Sequence, residues 1–179
     1  MASLIQLCLD FIVLSREIGR MPATCFDTPI GSCAIAWSAE AVTGFSLPPV
    51  RGPRDEAPPW VQAILARVKD HLEGKVQDFA DLPYAWDRVS SFQRAVYQAA
   101  LKIKAGQTST YGELTAAIGQ PISAARAVGT ALGQNPWPLL VPCHRFVGLR
   151  GRMTGFSAPG GTRTKLRLLA LEGVELFAE

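Results

Sequence analysis

The sequence predicts an α/β N-terminal unit followed by a mainly α C-terminal unit that contains a helix-turn-helix. Short β-rich runs broken by turn residues occupy the stretch from Met21. Helix-period apolar spacing takes over beyond residue 58, and two capping boxes open helices in the second half. A chain of 179 residues can bury a real core as one domain or two small ones. The expected division is an extension of doubtful role at 1–20, an α/β domain at 21–88 and a mainly α domain at 89–179.

The elements follow in order. "MASLIQLCLDFIVLSREIGR" is apolar, but no cationic segment precedes it, Asp10 interrupts it and no small-residue cleavage site follows. It reads as neither a signal peptide nor a spanning helix, although Leu4, Leu7, Phe11 and Leu14 would share a helix face. "ATCFDTPIGSCAIAWSAEAVTGFSL" reads as a strand meander with turns at Pro29-Ile30-Gly31 and Ala39-Glu40. After a Pro-rich connector, Val61, Ile64, Leu65, Val68 and Leu72 form one face of a helix opened by Pro59 and closed by Gly74. "KVQDFADLPYAWD" is expected to supply a further short strand and a linker.

Ser90 and Gln93 form a capping box before a helix with Phe92, Val96, Ala99, Ala100 and Ile103 on one face. Thr110 and Glu113 form a second, opening a short helix that Gly119 stops. Beyond Pro121, "ISAARAVGTALGQN" is a helix that turns Ala125, Val128, Ala131 and Leu132 inward and Arg126 and Thr130 outward. Two short helices joined by a tight turn spell helix-turn-helix. The second exposes Ser123, Ala124, Arg126 and Thr130, none of them a side chain that commonly reads base edges as Asn, Gln or Lys does, apart from one Arg. A nearly bare helix suits a backbone or a shallow minor groove, with binding that ignores sequence.

Charge supports that reading. Residues 1–91 carry 8 Lys/Arg against 11 Asp/Glu, whereas residues 92–170 carry 10 against 1, the lone acid being Glu113. Such a basic stretch is an electrostatic footprint for a polyanion, most economically a nucleic acid. The alternative is a solubilising basic face. The lack of an export signal and the unpaired cysteines point to a reducing cytoplasm.

The four cysteines, Cys8, Cys25, Cys33 and Cys143, include no C-x-x-C pair, and only His71 and His144 could add imidazoles. Neither a disulfide framework nor a local zinc site is indicated, so no metal is expected; a scattered site from Cys8, Cys25, Cys33 and His71 is the residual alternative. In "NPWPLLVPCHRFVG" a cysteine and a histidine stand side by side. Taken alone, Cys143 is either a buried thiol acting as a small hydrophobe or a nucleophile.

From Phe92 to Gly173 the chain resembles the O6-alkylguanine-DNA alkyltransferases, on "FQRAVY", "TYGEL", "ARAVGTALGQNP", "VPCHR", "GFSAPGG" and "LLALEG" in that order. "FDTPIGSCAIAWS" looks like the opening strands of that family's ribonuclease-H-like domain, and the family's helix-turn-helix is winged-helix-like. The resemblance implies DNA repair by irreversible, single-turnover transfer of an alkyl group from O6 of guanine to Cys143, without a cofactor, and leaves O4-alkylthymine open as a second substrate. It implies that His144 acts as base through a bridging water, oriented by Glu172. Tyr111 turns the target phosphate and donates to N3 of guanine, and Arg126 fills the gap left by the flipped base.

Asn135 then ties the recognition helix to the cysteine segment, and Arg145 is a structural anchor. Val141, Pro142, Phe156 and Ser157 line the pocket, and Ser123, Ala124, Ala125, Arg126 and Thr130 face DNA. The implied partner is double-stranded DNA bound in its minor groove by a monomer. Three positions depart from the pattern: Phe156 stands where a tyrosine is usual, Tyr97 where tryptophan is frequent, and the turn "GQPIS" is one residue longer. The other readings of the residues are a non-catalytic lesion binder and a Cys/His hydrolase, which would need an oxyanion hole and would turn over.

Overall fold

A computed structural model describes residues 21–174. The expected extension at 1–20 therefore lies outside the described residues. Strands β1 (Ala23–Thr28), β2 (Gly31–Trp37) and β3 (Val42–Ser46) form an antiparallel sheet in that order, as the alternation with turn residues predicts. The β1–β2 turn needs glycine: Gly31 has φ +124°, and a Cβ there would come within 2.9 Å of Pro48.

Helix α1 (Pro59–Leu72) begins with proline, whose fixed φ and missing N–H suit the first turn, and Gly74 follows its end at φ +90°. Its buried face holds Val61, Ile64, Val68 and Leu72, and also His71. The strand expected in "KVQDFADLPYAWD" is not formed. Tyr84 makes only an isolated bridge to Val42, and Trp86–Arg88 is a 3-10 turn. Pairing with β3 stops at two backbone bonds, Val42 N–H to Pro83 O at 2.7 Å and Ala85 N–H to Val42 O at 3.0 Å, and the Tyr84 hydroxyl lies within reach of Phe79 O (2.9 Å) and Leu140 O (3.1 Å).

The second half contains α2 (Ser91–Ala100), α3 (Tyr111–Ala117), α4 (Ala125–Gly133) and α5 (Gly161–Leu171). Both expected capping boxes close, Ser90 with Gln93 on α2 and Thr110 with Glu113 on α3. The helix expected from residue 122 starts as a 3-10 turn, Ile122–Ala124, before α4 proper. Two-residue strands β4 (Ser109–Thr110) and β5 (Phe146–Val147) pair in parallel, which sets the start of α3 beside the segment that follows Cys143.

One apolar core runs through both halves. Trp137 is its hub, fully buried, with edge-on contacts to Tyr84, Trp86 and Tyr97 at ring separations of 5.1, 5.4 and 6.0 Å. Its Nε1–H donates to Val42 O across to the sheet. Tyr97 at the usual tryptophan position is itself buried and donates to Ala131 O at 2.8 Å. No helix among the described residues is long and apolar enough to cross a membrane.

Candidate active site

The segment after α4 carries three prolines, Pro136, Pro138 and Pro142, so neither helix nor strand can run through it. Its shape is fixed by one side chain. Asn135 Nδ2 donates to Val141 O at 2.9 Å and to Cys143 Sγ at 3.3 Å, while its Oδ1 accepts from the Trp137 N–H at 3.0 Å. Within the loop Leu139 sits in the left-handed region, φ 78°, a conformation that costs a β-carbon-bearing residue about 1–3 kcal/mol and persists only where surroundings enforce it. Leu139 also supplies a backbone hydrogen bond to the Cys143 sulfur.

Cys143 opens a 3-10 turn, Cys143–Arg145, and is 6% exposed. In this turn, with three residues per turn, neighbouring side chains point about a third of a turn apart, which separates Cys143 from His144. No direct hydrogen bond joins them: His144 Nδ1 is buried without a protein partner. Burial pushes the Cys143 thiol up, and the Asn135 amide, the Lys165 ammonium and backbone N–H groups only partly offset it. The resting group is the uncharged thiol. A standing thiolate, the nucleophilic form of cysteine, is disfavoured because the sulfur is nearly dry.

His144 is fully buried, and burial pulls its imidazole down despite the Glu172 carboxylate, so the ring rests neutral. Its Nε2 lies 3.0 Å from Glu172 Oε1, which leaves Nδ1 with the lone pair. Glu172 follows α5 directly. Arg145 grips its carboxylate in a two-pronged pair, Nε to Oε2 at 2.9 Å and Nη2 to Oε1 at 2.7 Å, and donates through Nη1 to Ile103 O. Burial alone would raise the Glu172 carboxyl, but hydrogen bonds from His144, His71 and Arg145 outweigh it and hold the group well below the usual carboxylate range.

The structure thus brings Asn135, Val141, Pro142, Cys143, His144, Arg145 and Glu172 into one buried network. Tyr111 begins α3, its ring against Gly129 of α4, where an added Cβ would lie 3.6 Å from the ring. Its hydroxyl is 2.9 Å from Thr154 Oγ1. Phe156 is half-buried on the core and Ser157 is exposed. Arg126, Ser123 and Thr130 are exposed and Ala124 and Ala125 half-buried, away from the buried network; Thr130 spends its hydroxyl on the Arg126 carbonyl at 3.1 Å.

Two polar residues of the site escape sequence reasoning. Lys165 of α5 is fully buried, donates to Phe146 O, and is pushed down to about 8 by burial against the pull of Cys143. Its signal was its place on one helix face with Leu168, Leu169 and Glu172. His71 likewise shares the buried face of α1 with Ile64 and Val68, and its Nε2 lies 3.1 Å from Glu172 Oε1. The described residues contain no group of three or more His, Cys, Asp or Glu placed to hold a metal ion, and Cys8 of the scattered alternative lies outside them.

Fold and site define a class: a protein centred on one buried cysteine, set in a helical domain that follows a three-stranded antiparallel sheet. The family model for the DNA-binding domain of 6-O-methylguanine DNA methyltransferase matches residues 91–174. The methylated-DNA–protein-cysteine methyltransferase of Haemophilus influenzae is 33% identical over 157 residues, covering 84% of this chain and 86% of that one. That of Mycolicibacterium paratuberculosis is 37% identical over 154 residues, covering 82% and 88%. The crystal structure of Mycobacterium tuberculosis OGT in complex with DNA superposes with a TM-score of 0.71 at 34% identity, covering 84% of this chain and 92% of that one. The chain belongs to the O6-methylguanine-DNA methyltransferase family, and its three-stranded antiparallel sheet with a helical C-terminal domain is that family's fold.

Proposed function

We propose that this protein repairs DNA by moving a methyl or other alkyl group from O6 of guanine to Cys143, once per molecule. The observation that carries the reading is the sulfur's setting. Cys143 Sγ accepts from Asn135 in a nearly dry site beside Lys165, and the next residue is a neutral histidine whose Nδ1 lone pair is free and whose Nε2 is held by a carboxylate. In the step proposed, the thiol proton passes to His144 Nδ1 through a bridging water. Sulfur bonds to the alkyl carbon as the carbon–O6 bond breaks and its electron pair leaves on guanine; Tyr111 steadies that anion with a hydrogen bond to N3, and the proton taken up by His144 passes on through water to guanine, so the thiol hydrogen ends on the restored base. Forming the thiolate only at this moment avoids holding a naked charge in a low-dielectric site.

Within this reading the division at residue 88 separates labour, not cores. Residues 21–88 act as a ribonuclease-H-like platform, and residues 89–179 as the winged-helix-like, DNA-binding and alkyl-accepting part. Ser123, Ala124, Ala125 and Thr130 approach duplex DNA in its minor groove without reading sequence, and Arg126 occupies the space of the extruded base, whose unstacking costs a few kcal/mol. Val141, Pro142, Phe156 and Ser157 wall the base pocket, Phe156 offering it a ring without a hydroxyl. The protein works as a monomer in the cytoplasm.

The test is mass measurement of the Cys143 peptide after mixing with excess O6-methylguanine duplex. One methyl group per protein, with guanine restored, is expected. Many groups transferred per molecule would point to a hydrolase, and tight lesion binding with an unmodified Cys143 to a non-catalytic binder.

A further inference from the structure

We propose that His71, contributed by α1 of the N-terminal half, is a positioning residue for alkyl transfer, acting through Glu172 on the ring of His144; this rests on the reading of Cys143 above. The argument starts from which ring nitrogen of His71 carries hydrogen. The Gln77 backbone N–H donates to His71 Nδ1 at 3.1 Å, so that nitrogen holds a lone pair and the neutral ring must keep its hydrogen on Nε2. Nε2 lies 3.1 Å from Glu172 Oε1. The same oxygen is 3.0 Å from His144 Nε2. One carboxylate oxygen thus faces the N–H of both rings, and His144 is left with the Nδ1 lone pair that proton removal from Cys143 requires.

Burial makes the arrangement matter. The side chains of His71 and Glu172 are 1% and 0% exposed, so bulk water cannot replace a missing donor. The plane of His71 is set by Phe79, 5.4 Å away between ring centroids. Charge selects histidine for the place. Arg145 already balances Glu172, and a second cation there would oppose the imidazolium that His144 becomes as it takes the thiol proton. A neutral ring N–H steadies the carboxylate without that penalty. The N-terminal half therefore reaches into the chemistry through one side chain, His71.

The chain's two histidines make the test tractable, since ring nitrogen-15 spectra hold only two sets of signals. Both rings of the wild-type protein should show the Nε2–H tautomer. In His71→Leu the His144 signals should move toward the tautomer average, and the single-turnover rate on an O6-methylguanine duplex should fall about tenfold, the rate equivalent of one hydrogen bond. His71→Gln, whose side-chain amide reaches about as far as Nε2, should restore the locked His144 signals and most of the rate. A space-filling role would leave the His144 signals of His71→Leu unmoved, and that result overturns the proposal. So does a wild-type His71 in the Nδ1–H tautomer, which can be read even if the leucine variant does not fold. Locked tautomers in a wild-type protein that transfers nothing would sink the reading of Cys143, whereas normal transfer with unlocked rings would sink the role of His71 alone.

Discussion

Replacing Glu172 by glutamine isolates the charge at the centre of the site, because the side chain keeps its size. Oε1 faces His144, His71 and Arg145 Nη2, and Oε2 faces Arg145 Nε. Whichever way the amide turns, its NH2 meets donors, and Arg145, with its side chain 7% exposed, is left without a counter-charge. Breaking a buried pair from one side costs about 3–5 kcal/mol. For a domain of this size that is a fall in melting temperature of roughly 6–20 °C.

The pH dependence has a definite sign. The folded carboxyl is held below its ordinary value, so its stabilisation is fully present above the unfolded value of about 4.3 and is lost as pH falls further. Thermal melts from pH 7 to pH 3, followed by circular dichroism, should show wild-type stability declining below about pH 5. Glu172→Gln should start lower and lose less over the same interval. A variant melting within about 2 °C of wild type at pH 7, or two parallel acid limbs, would refute the assignment of a buried, charge-balancing carboxylate.

Two further variants, at Lys165 and Arg126, probe other parts of the structure. Lys165→Met removes a cation that favours the Cys143 thiolate, so transfer should slow at pH 7 and its pH–rate curve move to higher pH; an unshifted curve would show that the ammonium does not act on the sulfur. The Lys165 value of about 8 lies below its ordinary value, so burial of the charged form weighs against folding at neutral pH and the wild-type protein should gain stability relative to the variant between about pH 8 and 10.5. Arg126→Ala, on an exposed helix face, should slow repair of duplex DNA while leaving reaction with free O6-methylguanine base nearly unchanged; equal loss on both would place this arginine in support of the fold.

What could be read from the sequence was local. Pro59 with the Val61–Leu72 spacing, and the pairs Ser90/Gln93 and Thr110/Glu113, are contained within a turn or two of chain, and each forms as its residues dictate. The strand expected within "KVQDFADLPYAWD" is reduced to one bridge at Tyr84, whose hydroxyl is claimed by the carbonyl of Leu140 from far along the chain. His71 and Lys165 were visible as polar residues on apolar helix faces, but what each is for depends on partners that only folding supplies, Glu172 and Phe146. The left-handed backbone at Leu139 had no signal at all, because leucine has no preference for that region.

If Cys143 accepts the alkyl group as proposed, the setting of its sulfur bears on the molecule after reaction. Asn135, Leu139 and the Cys143 amide all direct hydrogens at one sulfur that is nearly sealed from solvent. Alkylation turns that sulfur into a thioether, a poor acceptor that can never regain charge, and adds carbon where the loop had closed around a thiol. The donors lose the partner they were arranged for, and the strain at Leu139 loses part of what held it in place. A used molecule is therefore a mechanically altered one, and the same contacts that prepare the nucleophile make its consumption legible to the rest of the fold.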